Sequence, residues 1–192
     1  MTQWQNDKSW AQDKIFSKLV KILHGLGYAE CSVASKYLDQ SEATDIVADE
    51  KHIAVRVRRT GIHRGVTLRA LRGSGHETEL KKIMSGFGDY MLYVWIDGNN
   101  EVLDWVFVSL QCVRKAPLAL EARRRIPNTD DETWFIDVGL FELMDHGCIK
   151  AYYMSPGTRD KFDLKFMPGR VDEETRYENT RGAVRDCDGK FS

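Results

Sequence analysis

Asp45 is the residue of this chain best placed to do chemistry. It lies in a run from Thr44 to Arg59 that reads as two short strands joined by a tight polar turn. On the second strand Ile53, Val55 and Val57 point one way and Ala54, Arg56 and Arg58 the other, because strand side chains alternate faces. A carboxylate on one strand therefore faces a charged row on the next. Carboxylate oxygens suit hard divalent cations, and guanidinium groups grip phosphate through paired hydrogen bonds. The basic excess is local: the segment 51–76 holds seven Lys and Arg residues (Lys51, Arg56, Arg58, Arg59, Arg64, Arg69 and Arg72) and no acid. A second group, Glu77, Glu79, Lys81 and Lys82, falls on the next predicted helix. At about 100° per residue, Glu79 flanks that helix's apolar stripe and Lys82 lies one turn on along the same side. Plainer readings stand beside these. Glu77 and Lys81 make an ordinary solvated helix pair. The arginines also have Asp45, Asp49, Glu50, Glu77 and Glu79 to pair with, which would satisfy their charge on a partly buried face.

The elements that position these groups follow from periodicity. Trp10 to Leu26 reads as a helix, with Ile15, Leu19, Ile22, Leu23 and Leu26 on one face. Glu30 to Ser35 is a short strand, Tyr37 to Glu42 a polar turn, and Val66 to Leu71 a strand antiparallel to 51–59. Thr78 to Gly86 is the second helix. Tyr90 to Ile96, rich in aromatic and β-branched residues, is a buried central strand. Asp97-Gly98-Asn99-Asn100 turns the chain into a returning strand from Glu101 to Val113. Glu121 to Thr133, with its Arg123–Arg125 and Asp130–Glu132 runs, reads as an exposed connection. Thr133 to Val138 is a strand, Gly139 to His146 a short helix and Cys148 to Met154 a final strand. The pattern is α/β (α+β): a mixed central sheet flanked by helices. Residues 1–120 read as the core domain and 121–167 as an extension packed on it. Residues 168–192 read as a polar tail with too little apolar surface to offset its ordering entropy.

Composition narrows the classes. A chain of 192 residues with 42% hydrophobic and 30% charged residues is an ordinary globular domain. The net charge of -1 gives no global attraction to nucleic acid or membrane, so any such attraction is local. No apolar run approaches the roughly 20 residues that span a bilayer. Cys31, Cys112, Cys148 and Cys187 are scattered with no CxxC pair, which reads as free thiols in a reducing cytoplasm. The five histidines lack metal-ligand spacing, and Gly73-Ser74-Gly75-His76 lacks the form of a nucleotide loop. Trp95, Trp105 and Trp134 read as core or sheet-packing residues.

The order helix, three-stranded meander, helix, strand resembles the core of the PD-(D/E)XK nuclease superfamily, over roughly residues 10–110. The resemblance implies a restriction-endonuclease-like core. It also implies an acid on the second core strand and an acid-x-Lys on the third, together binding Mg²⁺ or Mn²⁺. Here the first acid falls on Asp45, whereas the acid-x-Lys position reads Arg56-Val57-Arg58. Arginine neither ligates a cation nor acts as a base. Members of the superfamily also supply the missing groups from the following helix, which points to Glu79 and Lys82 with Asp45 and Glu79 as metal ligands.

Two functional expectations follow from the resemblance and the basic segment. One is a DNA- or RNA-directed protein. It is either a divergent metal-dependent nuclease using Asp45, Glu79 and Lys82, or a non-cleaving derivative that contacts phosphate through Arg56, Arg58, Arg59, Arg64, Arg69 and Arg72. The other is a protein-interaction, assembly or inhibitor component of phage or bacterial origin that keeps the fold as a scaffold. Another protein or a second copy of the chain is then its partner.

Overall fold

The computed structural model describes residues 15–59, 65–72, 77–128 and 132–158. Helix α1 (Phe16–Gly25) forms where the apolar period demands it: Leu19, Ile22 and Leu23 are buried along one face, continuing from Ile15. Strands β1 (Cys31–Val33), β2 (Ile46–Ala48) and β3 (Lys51–Arg59) form an antiparallel meander. Asp49 and Glu50 make the β2–β3 turn, both with positive φ, and the Asp49 carboxylate accepts the N–H groups of Ala29 and Glu30. Those two bonds fasten the start of β1 to the turn.

Beyond β3 the chain leaves the sheet, forms β4 (Gly65–Arg72) and helix α3 (Glu79–Met84), and returns as β5 (Tyr90–Ile96). Strand β5 lies parallel to β3, pairing Ile53 with Tyr90 through Arg59 with Ile96. The Asp97–Asn100 hairpin then leads to β6 (Val102–Ser109), antiparallel to β5. Six strands run in the order β1-β2-β3-β5-β6-β9, with β9 (Ile149–Met154) at the edge. The mixed α/β class is as the sequence indicates.

Several elements depart from the sequence reading. Strand β4 does not pair with β3, because β5 takes that edge along its whole length. It pairs instead with β8 (Thr133–Gly139), and β7 (Ile126–Pro127) completes a separate three-stranded sheet in the order β4-β8-β7. Residues 37–42, read as a turn, belong to helix α2 (Lys36–Glu42), whose first turn is capped by the Ser35 hydroxyl accepting from Leu38 N–H. Strand β6 stops at Ser109 because that hydroxyl caps α4 (Leu110–Lys115). In the stretch read as an exposed connection, Arg123 donates to the carbonyls of Leu118 and Asp137 and to the Glu142 carboxylate of α5 (Leu140–Asp145). Cys31 and Cys148 are free thiols, whereas Cys112 is disulfide-bonded.

The large sheet is buried on both faces. Helix α1 covers one, against Ile46, Ile53, Leu92, Val94, Trp105 and Tyr153. The other packs Met91, Tyr93, Val106 and Val108 against Val66, Leu68, Leu80, Ile83 and Ile136. Burial on both faces explains why β5 reads as a near-continuous apolar run. No helix among the described residues is long and apolar enough to cross a membrane.

Candidate functional site

Asp45 marks the place where β2 gives out. Its N–H still donates to the Ile53 carbonyl at 2.9 Å, as in a ladder. Its side chain then takes over from the backbone: Oδ2 accepts the Val55 N–H at 2.7 Å. Because Ile46 pairs with Ile53, Asp45 falls on the face shared by Ala54 and Arg56, opposite the α1 core. Burial pushes its carboxyl up to about 6, although the Val55 N–H and the nearby Arg56 pull the other way; Asp39 and Glu79 add repulsion.

Glu79 opens α3 just after Thr78, whose hydroxyl caps the helix by accepting from Lys81 N–H. Its side chain is 7% exposed and fully engaged. Arg56 Nε donates to Oε1 at 2.8 Å and Arg56 Nη2 lies 2.7 Å from Oε2, which also accepts the Arg69 N–H at 3.1 Å. Burial alone would raise the Glu79 carboxyl, but the Arg56 guanidinium and these donors outweigh it and hold the carboxyl below its usual range. Burial would likewise depress Arg56, but Glu79 and Asp45 push it further above the ordinary guanidinium range.

Lys82 follows one turn after Glu79 and is 9% exposed. Its Nζ donates to the Gln40 carbonyl near the end of α2, which braces α2 against α3. Burial, then the nearby Arg72, lower its pKa, while Asp39, Glu77 and Glu79 act in the opposite sense. Asp45, Arg56, Glu79 and Lys82 therefore form one charged cluster at the junction of β2, β3, α2 and α3.

The remaining arginines separate from that cluster by degrees. Arg58 reaches across to the second sheet, with Nη2 at 3.0 Å from Thr67 Oγ1 and Nε at 3.3 Å from the Tyr93 hydroxyl. Thr67 and Tyr93 are bonded to each other at 2.9 Å. Arg58 and Arg59 are exposed, and Arg69 and Arg72 are half-buried on β4. Arg64 lies outside the described residues. Sequence reasoning missed Thr67 and Tyr93. Tyr93 sits inside an apolar run and looks like core, and Thr67 depends on the second sheet, which no local pattern announces.

A divalent cation does not fit these residues as they stand. Of the two candidate ligands, Glu79 has both oxygens committed to N–H donors. The Arg56 guanidinium, acting on both Asp45 and Glu79, already neutralises the charge a cation would neutralise.

His52 lies on β3 with Nδ1 3.2 Å from Glu42 Oε2. Trp95 and Trp105 are core residues as expected, at 6% and 2% exposure, but Trp134 is 39% exposed. Trp134 lies near the start of β8, two residues before the buried Ile136, where the small sheet reaches past the core. No protein-family model matches the chain, and no curated protein matches it either.

Proposed function

We propose that the chain is a nucleic-acid-directed protein on a PD-(D/E)XK-like core, in which an arginine–glutamate pair stands where relatives of that kind hold a metal ion. The order α1, the β1-β2-β3 meander, a crossover through α3 and parallel β5 supports the core assignment. One observation carries the non-cleaving reading: the bidentate Arg56–Glu79 pair, which uses up the acid a cation would need. Binding then falls to the basic residues around it: Lys51, Arg58 and Arg59 on β3, and Arg69 and Arg72 on β4.

The test is affinity for labelled DNA and RNA across a salt series. Counterion release makes affinity fall linearly in log–log form, with a slope set by the number of phosphates neutralised. An Arg58→Ala/Arg59→Ala/Arg72→Ala variant should bind more weakly and with a shallower slope. Equal affinity in that variant sinks the reading.

A second reading, a Mg²⁺- or Mn²⁺-dependent nuclease, is favoured by one specific observation: Glu79 lies within electrostatic reach of both Asp45 and Lys82. It requires cutting of DNA or RNA that needs the divalent ion and is lost in Asp45→Ala. Intact substrate across Mg²⁺ and Mn²⁺ leaves the binding function alone standing.

A further inference from the structure

Arg56 and Arg58 leave β3 on the same face, and each is gripped along the same edge of its guanidinium group, the edge formed by Nε and Nη2. What grips them differs. Arg56 meets the Glu79 carboxylate, which neutralises it. Arg58 meets two hydroxyls: Nη2 donates to Thr67 Oγ1 at 3.0 Å and Nε to the Tyr93 hydroxyl at 3.3 Å. The hydroxyls are bonded to each other at 2.9 Å, which closes a ring of three side chains. Neutral hydroxyls orient a guanidinium group without cancelling its charge.

The ring has a buried side and an open side. Thr67 and Tyr93 are 7% and 2% exposed and belong to β4 and β5, so both sheets hold the anchor. Arg58 itself is exposed. The end of its fork, Nη1 with the outer N–H of Nη2, meets no acceptor among the described residues, and no described carboxylate forms an ion pair with it. Asp137, across from Thr67 on β8, has its carboxylate turned to Gly65. Two parallel N–H groups on an exposed, uncancelled charge match two oxygens of one phosphate.

We propose that Thr67 and Tyr93 are positioning residues, which present the Arg58 fork to a single phosphate of bound nucleic acid. This rests on the nucleic-acid-directed reading and deepens it, because it separates one geometrically fixed phosphate contact from basic residues that act as diffuse charge. A free arginine side chain gives up rotamer freedom on binding, at a cost of about two- to tenfold in affinity, whereas one already held gives up less. The ring, and not the charge alone, then sets how strongly Arg58 binds.

The experiment measures the affinity of the full chain for labelled DNA and RNA oligonucleotides across a salt series, with melting temperatures taken alongside. Arg58→Ala should weaken binding and make the log–log slope shallower by about one phosphate's share. Tyr93→Phe and Thr67→Val should each weaken binding about two- to tenfold with the slope unchanged, since the charge stays. Arg58→Lys, which keeps the charge and loses the fork, should do the same. Thr67→Ser, which keeps the hydroxyl, should bind like wild type. Added to Arg58→Ala, neither hydroxyl variant should weaken binding further. A merely structural ring gives a different pattern: Tyr93→Phe and Thr67→Val lower the melting temperature but bind like wild type, or weaken binding equally with Arg58 absent. Either result, or wild-type affinity in Arg58→Lys, overturns the positioning role and leaves the basic surface in force. Wild-type protein that binds neither DNA nor RNA removes the parent reading and this one with it.

Discussion

Arg56 holds both carboxylate oxygens of Glu79, one through Nε and one through Nη2. The pair ties β3 to the first turn of α3, and the Arg69 N–H ties the same carboxylate to β4. Three elements that meet at no backbone ladder thus share one carboxylate.

Removing either partner strands the other. Arg56→Met and Glu79→Gln should each cost about 3–5 kcal/mol, the usual scale for breaking a buried pair. The double variant Arg56→Met/Glu79→Met should recover much of that loss, because neither member of the pair is left as an unpaired buried charge. Urea unfolding of the three variants checks this. A double variant no more stable than the singles shows that the pair does more than neutralise itself. Acid has the same target. The Glu79 carboxyl is held below its unfolded value, so its contribution is full above the ordinary glutamate range and is lost as pH falls through the depressed folded value.

Asp45 works in the opposite sense. Its folded carboxyl, at about 6, lies above the ordinary 3.8. The folded state therefore binds that proton more readily than the unfolded state, and the associated stability is present below about pH 4 and lost as pH rises through 6. Asp45→Asn keeps an oxygen for the Val55 N–H and removes the ionisation. It should stabilise the protein above pH 7 by on the order of 1–2 kcal/mol, with little effect near pH 4. Melting temperatures from pH 4 to 8 read this directly. A variant whose stability runs parallel to wild type across that range refutes the assignment.

Much of this architecture is legible along the chain, and the reasons for the exceptions are physical. Alternation alone places Arg56 and Arg58 on the face opposite Ile53, Val55 and Val57. Helical phase alone brings Glu79 and Lys82 to one side of α3. What periodicity cannot carry is partnership. Val66 to Leu71 has a strand's pattern, but nothing local says that its partner is β8, more than sixty residues on, and not β3. Thr67 and Tyr93 are invisible for the same reason, since they meet only across two sheets. Helix α2 hides differently: none of its residues is buried, so it lacks an apolar stripe, and only the Ser35 cap betrays it.

Gly65 is required by a close approach. A methyl group there would run into the Asp137 carboxylate, on the strand across from it. Gly65→Ala should cost about 1–3 kcal/mol by overpacking. Thermal unfolding measures the loss, and pairing it with Asp137→Ala should return part of it. Gly65→Ala with wild-type stability contradicts the packing described.

An Arg56→Ala variant separates a lost metal centre from one that never was. Arg56 supplies the positive charge between Asp45 and Glu79. If that guanidinium has replaced a cation, its removal leaves two carboxylates in need of one. Arg56→Ala should then be less stable than wild type and regain stability on adding Mn²⁺ or Mg²⁺. At about a hundredfold excess over the dissociation constant, linkage sets the recovery near 2.7 kcal/mol. Wild type should show no such shift, because binding would have to break the Arg56–Glu79 pair first. Adding Asp45→Asn to Arg56→Ala should abolish the response, which ties it to these carboxylates and not to surface acids. Melting curves with and without each ion decide the matter. A response equal in wild type and Arg56→Ala disproves the replacement, and cutting of DNA by Arg56→Ala with Mn²⁺ present would show that Lys82 and the two acids retain the geometry of the reaction.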